Sequence, residues 1–189
     1  MAQAISATDW FESAAIKVLL KHYKEAIIDL TMAIRLKPDY AEAYYNRGFA
    51  KNLVKDFQGA IADLTKAIDL KSNYAEAYNN RGIVKVNLGD YRGALANFAT
   101  AIELNHDYAS AYNNSGLAKH RLEDHKGAIA DYTRAIDLNP DDAITYFNRG
   151  RAYFDIGQMK QALSDFKSSI KLGHSVPQKA LEVCKQVCQ

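Results

Sequence analysis

The chain has 189 residues, with 24 Lys and Arg against 22 Asp and Glu and a net charge of +2. So even a balance, without a long run of either sign, leaves no electrostatic footprint for nucleic acid or for a membrane surface. Apolar residues come in short groups such as AAIKVLL, far below the ~18 in a row of a spanning helix, and MAQAIS lacks the apolar stretch of a secretory signal, so the expectation is a cytoplasmic chain.

After a short lead, residues 1–6, the chain repeats itself. AEAYYNRGFAK at 41–51 returns as AEAYNNRGIVK at 75–85, ASAYNNSGLAK at 109–119 and AITYFNRGRAY at 143–153, each 34 residues after the last. Self-similarity at a fixed period is a better guide to architecture than chain length. Five tandem copies are predicted over 1–176, namely 7–40, 41–74, 75–108, 109–142 and 143–176, followed by a remainder at 177–189.

The first half of each copy predicts one amphipathic helix. Position 4 is aromatic (Trp10, Tyr44, Tyr78, Tyr112, Tyr146), position 8 is small (Ala14, Gly48, Gly82, Gly116, Gly150) and position 14 is aliphatic (Leu20, Val54, Leu88, Leu122, Ile156), a single stripe at helical spacing. Asp56, Asp90 and Asp124 at position 16 are expected to cap a second helix, with Gly89 and Gly157 easing the turn before it. That second helix carries Ala at position 20, Leu or an aromatic ring at 24, and a small residue at 27. Pro38 and Pro140 then bar its continuation, and Asp39, Asn73, Asp107 and Asp141 are expected to cap the next copy's first helix. In the remainder, Ala180, Val183, Cys184 and Val187 repeat the first-helix stripe, which predicts a capping helix with Cys184 as its small packing residue. Cys184 and Cys188 lie one turn apart and predict neither a disulfide framework nor a metal site.

Aromatic at 4, Gly at 8, Ala at 20 and 27, and Pro at 32 in a 34-residue unit resemble the tetratricopeptide repeat. The resemblance covers residues 7 to 176. It implies an all-α fold: a right-handed superhelical solenoid of antiparallel helix pairs, closed by the C-terminal capping helix. One departure is systematic, since position 11, often Tyr in the family, is Lys17, Lys51, Lys85 and Lys119, with only Tyr153 conforming.

The face of the first helix opposite its core stripe also repeats, which an idle solvent face has no reason to do. Position 5 supplies Phe11, Tyr45, Asn79, Asn113 and Phe147, and position 9 supplies Ala15, Phe49, Ile83, Leu117 and Arg151. An apolar strip of this kind marks an interaction surface. Position 6 supplies Asn46, Asn80, Asn114 and Asn148, with Glu12 in the first copy. An amide offers both donors and an acceptor, a match for the main chain of an extended peptide. Such a set resembles the asparagine ladder in the repeat domain of the O-linked N-acetylglucosamine transferases, and that resemblance implies main-chain binding in a concave groove. The basic clamp that other members use for acidic carboxyl termini is not matched, because position 6 is never basic.

The function expected is therefore a non-enzymatic scaffold that binds an extended segment of a partner protein, with no catalytic residues, cofactor or metal. Two alternatives stand beside it: a structural module that self-associates through its repeat ends, and a domain excised from a longer protein. Glu12, Glu42 and Glu76 against His120, Arg121 and Arg151 predict a groove of opposite charge at its two ends. Glu42 with Asp39, and Glu76 with Asn73, also have the spacing of capping boxes. Finally, position 7 holds Arg47, Arg81 and Arg149 where the family usually has Leu, and position 23 of the preceding copy holds Asp29, Asp63 and Asp131. Inter-copy ion pairs are expected between them.

Overall fold

The computed structural model describes residues 5–187, which form eleven α-helices. In chain order these are α1 (Ala7–Leu19), α2 (Tyr23–Leu36), α3 (Ala41–Leu53), α4 (Phe57–Leu70), α5 (Ala75–Asn87), α6 (Tyr91–Leu104), α7 (Ala109–Arg121), α8 (His125–Leu138), α9 (Ala143–Asp155), α10 (Met159–Lys171) and α11 (Gln178–Val187). Each odd-numbered helix from α1 to α9 starts at the first residue of the repeating frame. The helices form two compact units, α1 to α5 ending at Asp90 and α6 to α11 beginning at Tyr91. Cys188 lies outside the described residues.

Turn chemistry explains where the helices stop. Position 15 adopts the left-handed conformation in every copy: Gly89 (φ 80°) and Gly157 (φ 77°) do so freely, whereas Lys21 (φ 62°), Lys55 (φ 65°) and Glu123 (φ 63°) do so against the crowding of a Cβ. Next to it, Asp56 accepts from Gly59 N at 3.0 Å and Asp124 from Gly127 N at 2.9 Å, so both are the caps expected. The caps of the first helices differ from expectation. They fall at Tyr40, Tyr74 and Tyr108, one residue beyond Asp39, Asn73 and Asp107, and none makes a side-chain capping bond. The tyrosine rings are turned elsewhere, Tyr74 into the core and Tyr40 against Phe11. Of these four caps Asp142, again one residue beyond the expected Asp141, uses its side chain, accepting from Ile144 N. The capping box expected at Asp39 and Glu42 is absent, and one the sequence reading passed over is formed by Ser6 and Asp9.

Within a pair the helices nearly touch. A Cβ placed on Gly48 would stand 2.8 Å from Leu64 Cγ, one on Gly116 2.7 Å from the Tyr132 ring, and one on Gly150 2.8 Å from the Phe166 ring. Position 8 is thus small because position 24 of the same copy lies over it. Alanines 26, 60, 94, 128 and 162 at position 20 are fully buried in the same seams. In the second unit α11 packs on α10 and buries Cys184 against Ala162 and Phe166, as the remainder predicted.

The buried carboxylates at position 23 organise a polar seam inside the copies. Arg47 binds Asp63 through Nε (2.8 Å) and Nη2 (2.6 Å), and Arg149 binds Asp165 through Nε (2.8 Å) and Nη2 (2.8 Å). Where position 7 is serine, Ser13 and Ser115 donate to Asp29 and Asp131, each at 2.6 Å. These are pairs within a copy, not between copies, so the expected partners Asp29 for Arg47 and Asp131 for Arg149 are replaced. What does cross to the preceding copy is the remaining nitrogen, with Arg47, Arg81 and Arg149 Nη1 donating to Thr31 (3.1 Å), Thr65 (3.1 Å) and Thr133 (3.0 Å). The lysines at position 11 find their reason here. Lys17, Lys51 and Lys119 reach Asp29, Asp63 and Asp131. In the fifth copy Tyr153 stands there instead, and its ring lies under the Arg149 guanidinium, 5.9 Å from centroid to Cζ. The Asp165 carboxylate holds Arg149 above the usual guanidinium range, and burial draws Arg81 below it.

Two stability measurements check this account. Asp63→Ala strands Arg47 and Lys51 beside each other and is expected to cost about 3–5 kcal/mol, whereas Asp107→Ala, which removes the exposed pair with Arg134, costs about 0–1 kcal/mol. Equal losses in urea unfolding would refute the structural weight given to position 23. Lys55→Gly relieves the left-handed backbone and is expected to raise stability by roughly 0.5–1 kcal/mol in the same assay, with Gly89 as the natural precedent.

Candidate functional site

The first helix of each pair turns positions 5, 6 and 9 away from its partner helix. In both units, side chains on this face meet between neighbouring copies by one rule: a residue touches the residue 35 places later. Asn80 Nδ2 donates to the Tyr45 hydroxyl at 2.9 Å, Asn148 Nδ2 donates to Asn113 Oδ1 at 3.2 Å, and Asn87 Nδ2 donates to Asn52 Oδ1 at 3.0 Å. The repeat supplies 34 residues, and the offset between adjacent first helices adds one. Position 5 of one copy therefore holds position 6 of the next.

In the first unit the face holds Tyr45, Asn46, Phe49, Asn80 and Ile83, all half-buried. Tyr45 packs its ring against Tyr74 with centroids 4.9 Å apart, and burial together with the Glu76 carboxylate raises its hydroxyl pKa above the usual tyrosine value. Asn46 is turned onto its own helix, donating to Glu42 O at 2.9 Å. Asn79, at position 5 of the third copy, is only 4 % exposed, whereas Tyr45 and Phe147 at the same position stay half-buried. Glu12 and Glu76 are exposed, and Glu42 approaches Lys71 at 3.8 Å.

In the second unit the face holds Asn113, Asn114, Leu117, Phe147 and Asn148, half-buried, and the exposed Arg151. Phe147 is partly a core residue, 6.0 Å from the Phe166 ring and 5.0 Å from His174, with Arg151 Cζ 5.9 Å above its centroid. An apolar pocket of about 410 Å³ opens beside it, walled by Phe147, Phe154, Phe166, Pro177 and Ala180 and rimmed by Arg151 and Asp155. The pocket was not legible in advance because two walls come from the remainder, whose seat on α10 is a tertiary fact. The charges expected at this end are partly spent, since His120 Nε2 lies 2.6 Å from Asp155 Oδ2. His125, passed over in the sequence reading, joins them from the start of α8. The 35-residue step from 120 to 155 is the signal that links the first two.

Several solved structures share this fold. MamA, residues 41 to the end, from Desulfovibrio magneticus RS-1 aligns at 23% identity with a TM-score of 0.79 over 90% of this chain and 97% of its own. YrrB, described as a TPR protein with an unusual peptide-binding site, aligns at 19% identity with a TM-score of 0.72 over 96% and 92%. PilF of Pseudomonas aeruginosa aligns at 15% identity with a TM-score of 0.87 over 96% and 84%. No curated protein matches the chain at a significant level. A TPR repeat model matches residues 16–52, 55–89, 84–123 and 116–157, and a second tetratricopeptide repeat model matches 143–172. Helix pairs that begin in register with a 34-residue frame, close over small residues and match repeat models along most of their length leave one assignment: the chain belongs to the tetratricopeptide repeat family, whose members are protein-interaction repeats.

Proposed function

We propose that the chain is a non-enzymatic scaffold that holds an extended segment of a partner protein against its first-helix face. The observation that carries this reading is the way the position-6 amides are held. Asn80 and Asn148 each use one N–H to bond the copy before, which fixes the plane of the amide while its carbonyl and second N–H remain for a ligand main chain. Orientation fixed before binding lowers the ordering cost on association. The apolar residues Phe49, Ile83 and Leu117, and the pocket beside Phe147, supply places for alternate side chains of the segment. On the first unit the exposed acids favour basic residues in a bound segment, and on the second Arg151 favours acidic ones, so affinity on either falls as salt rises. A soluble partner met in the cytoplasm completes this reading.

A second reading rests on its own observation. In the first unit, Ile16, Leu19, Leu20 and Ile28 are 60, 82, 60 and 62 % exposed, a set of large apolar side chains on α1, its C-cap and α2 that the described residues leave open. Association of two copies through this end would cover them. Light scattering at two concentrations is then expected to show a mass that rises with concentration in the wild type and not in Leu19→Glu. A monomeric mass at both concentrations removes this reading and leaves the first untouched.

Peptides selected from a random library on the wild-type protein test the first reading. Replacing Asn80, Asn114 and Asn148 together with Ala is expected to keep the fold and lower the melting temperature modestly, by the cost of the inter-copy hydrogen bonds of Asn80 and Asn148. Loss of several hydrogen bonds at ~0.5–1.5 kcal/mol each amounts to about 2–4 kcal/mol, or roughly 30- to 1000-fold in affinity by fluorescence anisotropy. Leu117→Ala is expected to weaken only those peptides that place an apolar side chain there. Unchanged affinity in the triple variant would put the ligand elsewhere, and a collapsed fold would make the asparagines structural.

A further inference from the structure

His120, His125 and Asp155 come together in the second unit with one ligating atom of each within 4.8 Å of the others. His120 is the next-to-last residue of α7, His125 opens α8 after a turn through the left-handed Glu123, and Asp155 ends α9. The His120 Nε2 contact with Asp155 Oδ2 is 2.6 Å, and the two imidazole rings meet edge to face with centroids 5.1 Å apart. His125 Nδ1 is buried and has no hydrogen-bond partner among the described residues. A buried polar nitrogen left without a partner costs stability and calls for an explanation.

The other copies sharpen the point. Position 12 is Val18, Asn52, Val86 and Phe154 apart from His120, and position 17 is Tyr23, Phe57, Tyr91 and Met159 apart from His125. Position 13, which the 35-residue step brings beside position 12 of the preceding copy, is acidic only at Asp155. Three independent positions thus depart from their apolar, amide or basic counterparts at one place in the fold, and every departure is toward a metal-ligating side chain.

We infer that His120, His125 and Asp155 form a binding site for a divalent transition metal of the zinc class. Two imidazole nitrogens and one carboxylate oxygen are a donor set suited to Zn²⁺, which takes such ligands at about 2.0–2.2 Å in tetrahedral geometry and keeps water in a fourth position. As the site closes, the His120 to Asp155 hydrogen bond opens, the proton that joined them passes to solvent, the metal takes its place, and His125 draws in. A metal on Nδ1 gives that nitrogen the partner the protein lacks. Arg121 and Arg151 border the surrounding cavity of about 290 Å³, and Glu123 and Asp155 offset their charge.

Calorimetric titration of ZnCl₂ into metal-free, untagged protein tests the site. One zinc per chain is expected, bound in the micromolar range, with a melting temperature that rises with zinc concentration. The Co²⁺-substituted protein should show the strong visible bands of a tetrahedral site. His125→Gln and Asp155→Asn are each expected to weaken binding at least ~10-fold and to abolish the cobalt bands. Asp155 is exposed, so its variant keeps the test valid should His125→Gln fail to fold. No saturable zinc uptake up to about 1 mM, or uptake unchanged in both variants, overturns the assignment.

Discussion

The close approach of two helices within each pair is the constraint on which the rest of the structure depends. Gly48, Gly116 and Gly150 lie so near Leu64, Tyr132 and Phe166 that no Cβ fits without displacing its neighbour. A helix pair this tight has little interior of its own. Its apolar stripes must be covered by the pairs beside it, which is how stacking repeats acquire a continuous core. The turn residues and caps serve that end by returning the chain after three residues, as between Leu19 and Tyr23 or between Asp155 and Met159.

The same closeness decides where charge can be buried. A carboxylate at position 23 emerges between its own helix pair, within reach of positions 7 and 11 of that pair. Asp63 takes Arg47 and Lys51, and Asp131 takes Ser115 and Lys119. In three copies the lysine at position 11, an oddity against the family pattern, serves as a second donor to the acid at position 23, whereas Lys85, whose copy has Asn97 there, pairs with Asp90 instead. The arginine's third nitrogen then ties each pair to a threonine of the previous one, so a single guanidinium joins packing within a copy to packing between copies.

On the opposite face, the offset between adjacent first helices converts the period of the sequence into a 35-residue step between touching side chains. That step sets the Asn80 and Asn148 amides on their neighbours. It also brings Asp155 onto His120. The amide contacts and the His120–Asp155 contact are therefore products of one geometric rule, read with different residues at different copies.

The sequence by itself determined the all-α class, the two-helix unit, the small residues at position 8 and the capping role of the last helix. Each follows from periodicity, sterics or turn chemistry, which act over a few residues and repeat in phase. What only the tertiary structure decided were partners across helices. Arg47 and Arg149 were matched by sequence logic to acids of the preceding copy, yet bind those of their own, because helix pairing places positions 7 and 23 of one copy side by side. Asn79 stands in the pattern of the binding face and is buried, while Phe147 is shared between face and core. The caps stand one residue beyond Asp39, Asn73 and Asp107, at tyrosines, of which Tyr40 and Tyr74 put their rings into packing contacts that no local pattern announces. A repeating sequence states which positions are equivalent. How neighbouring copies are offset is a property of the packed stack, and that offset selects which residues meet.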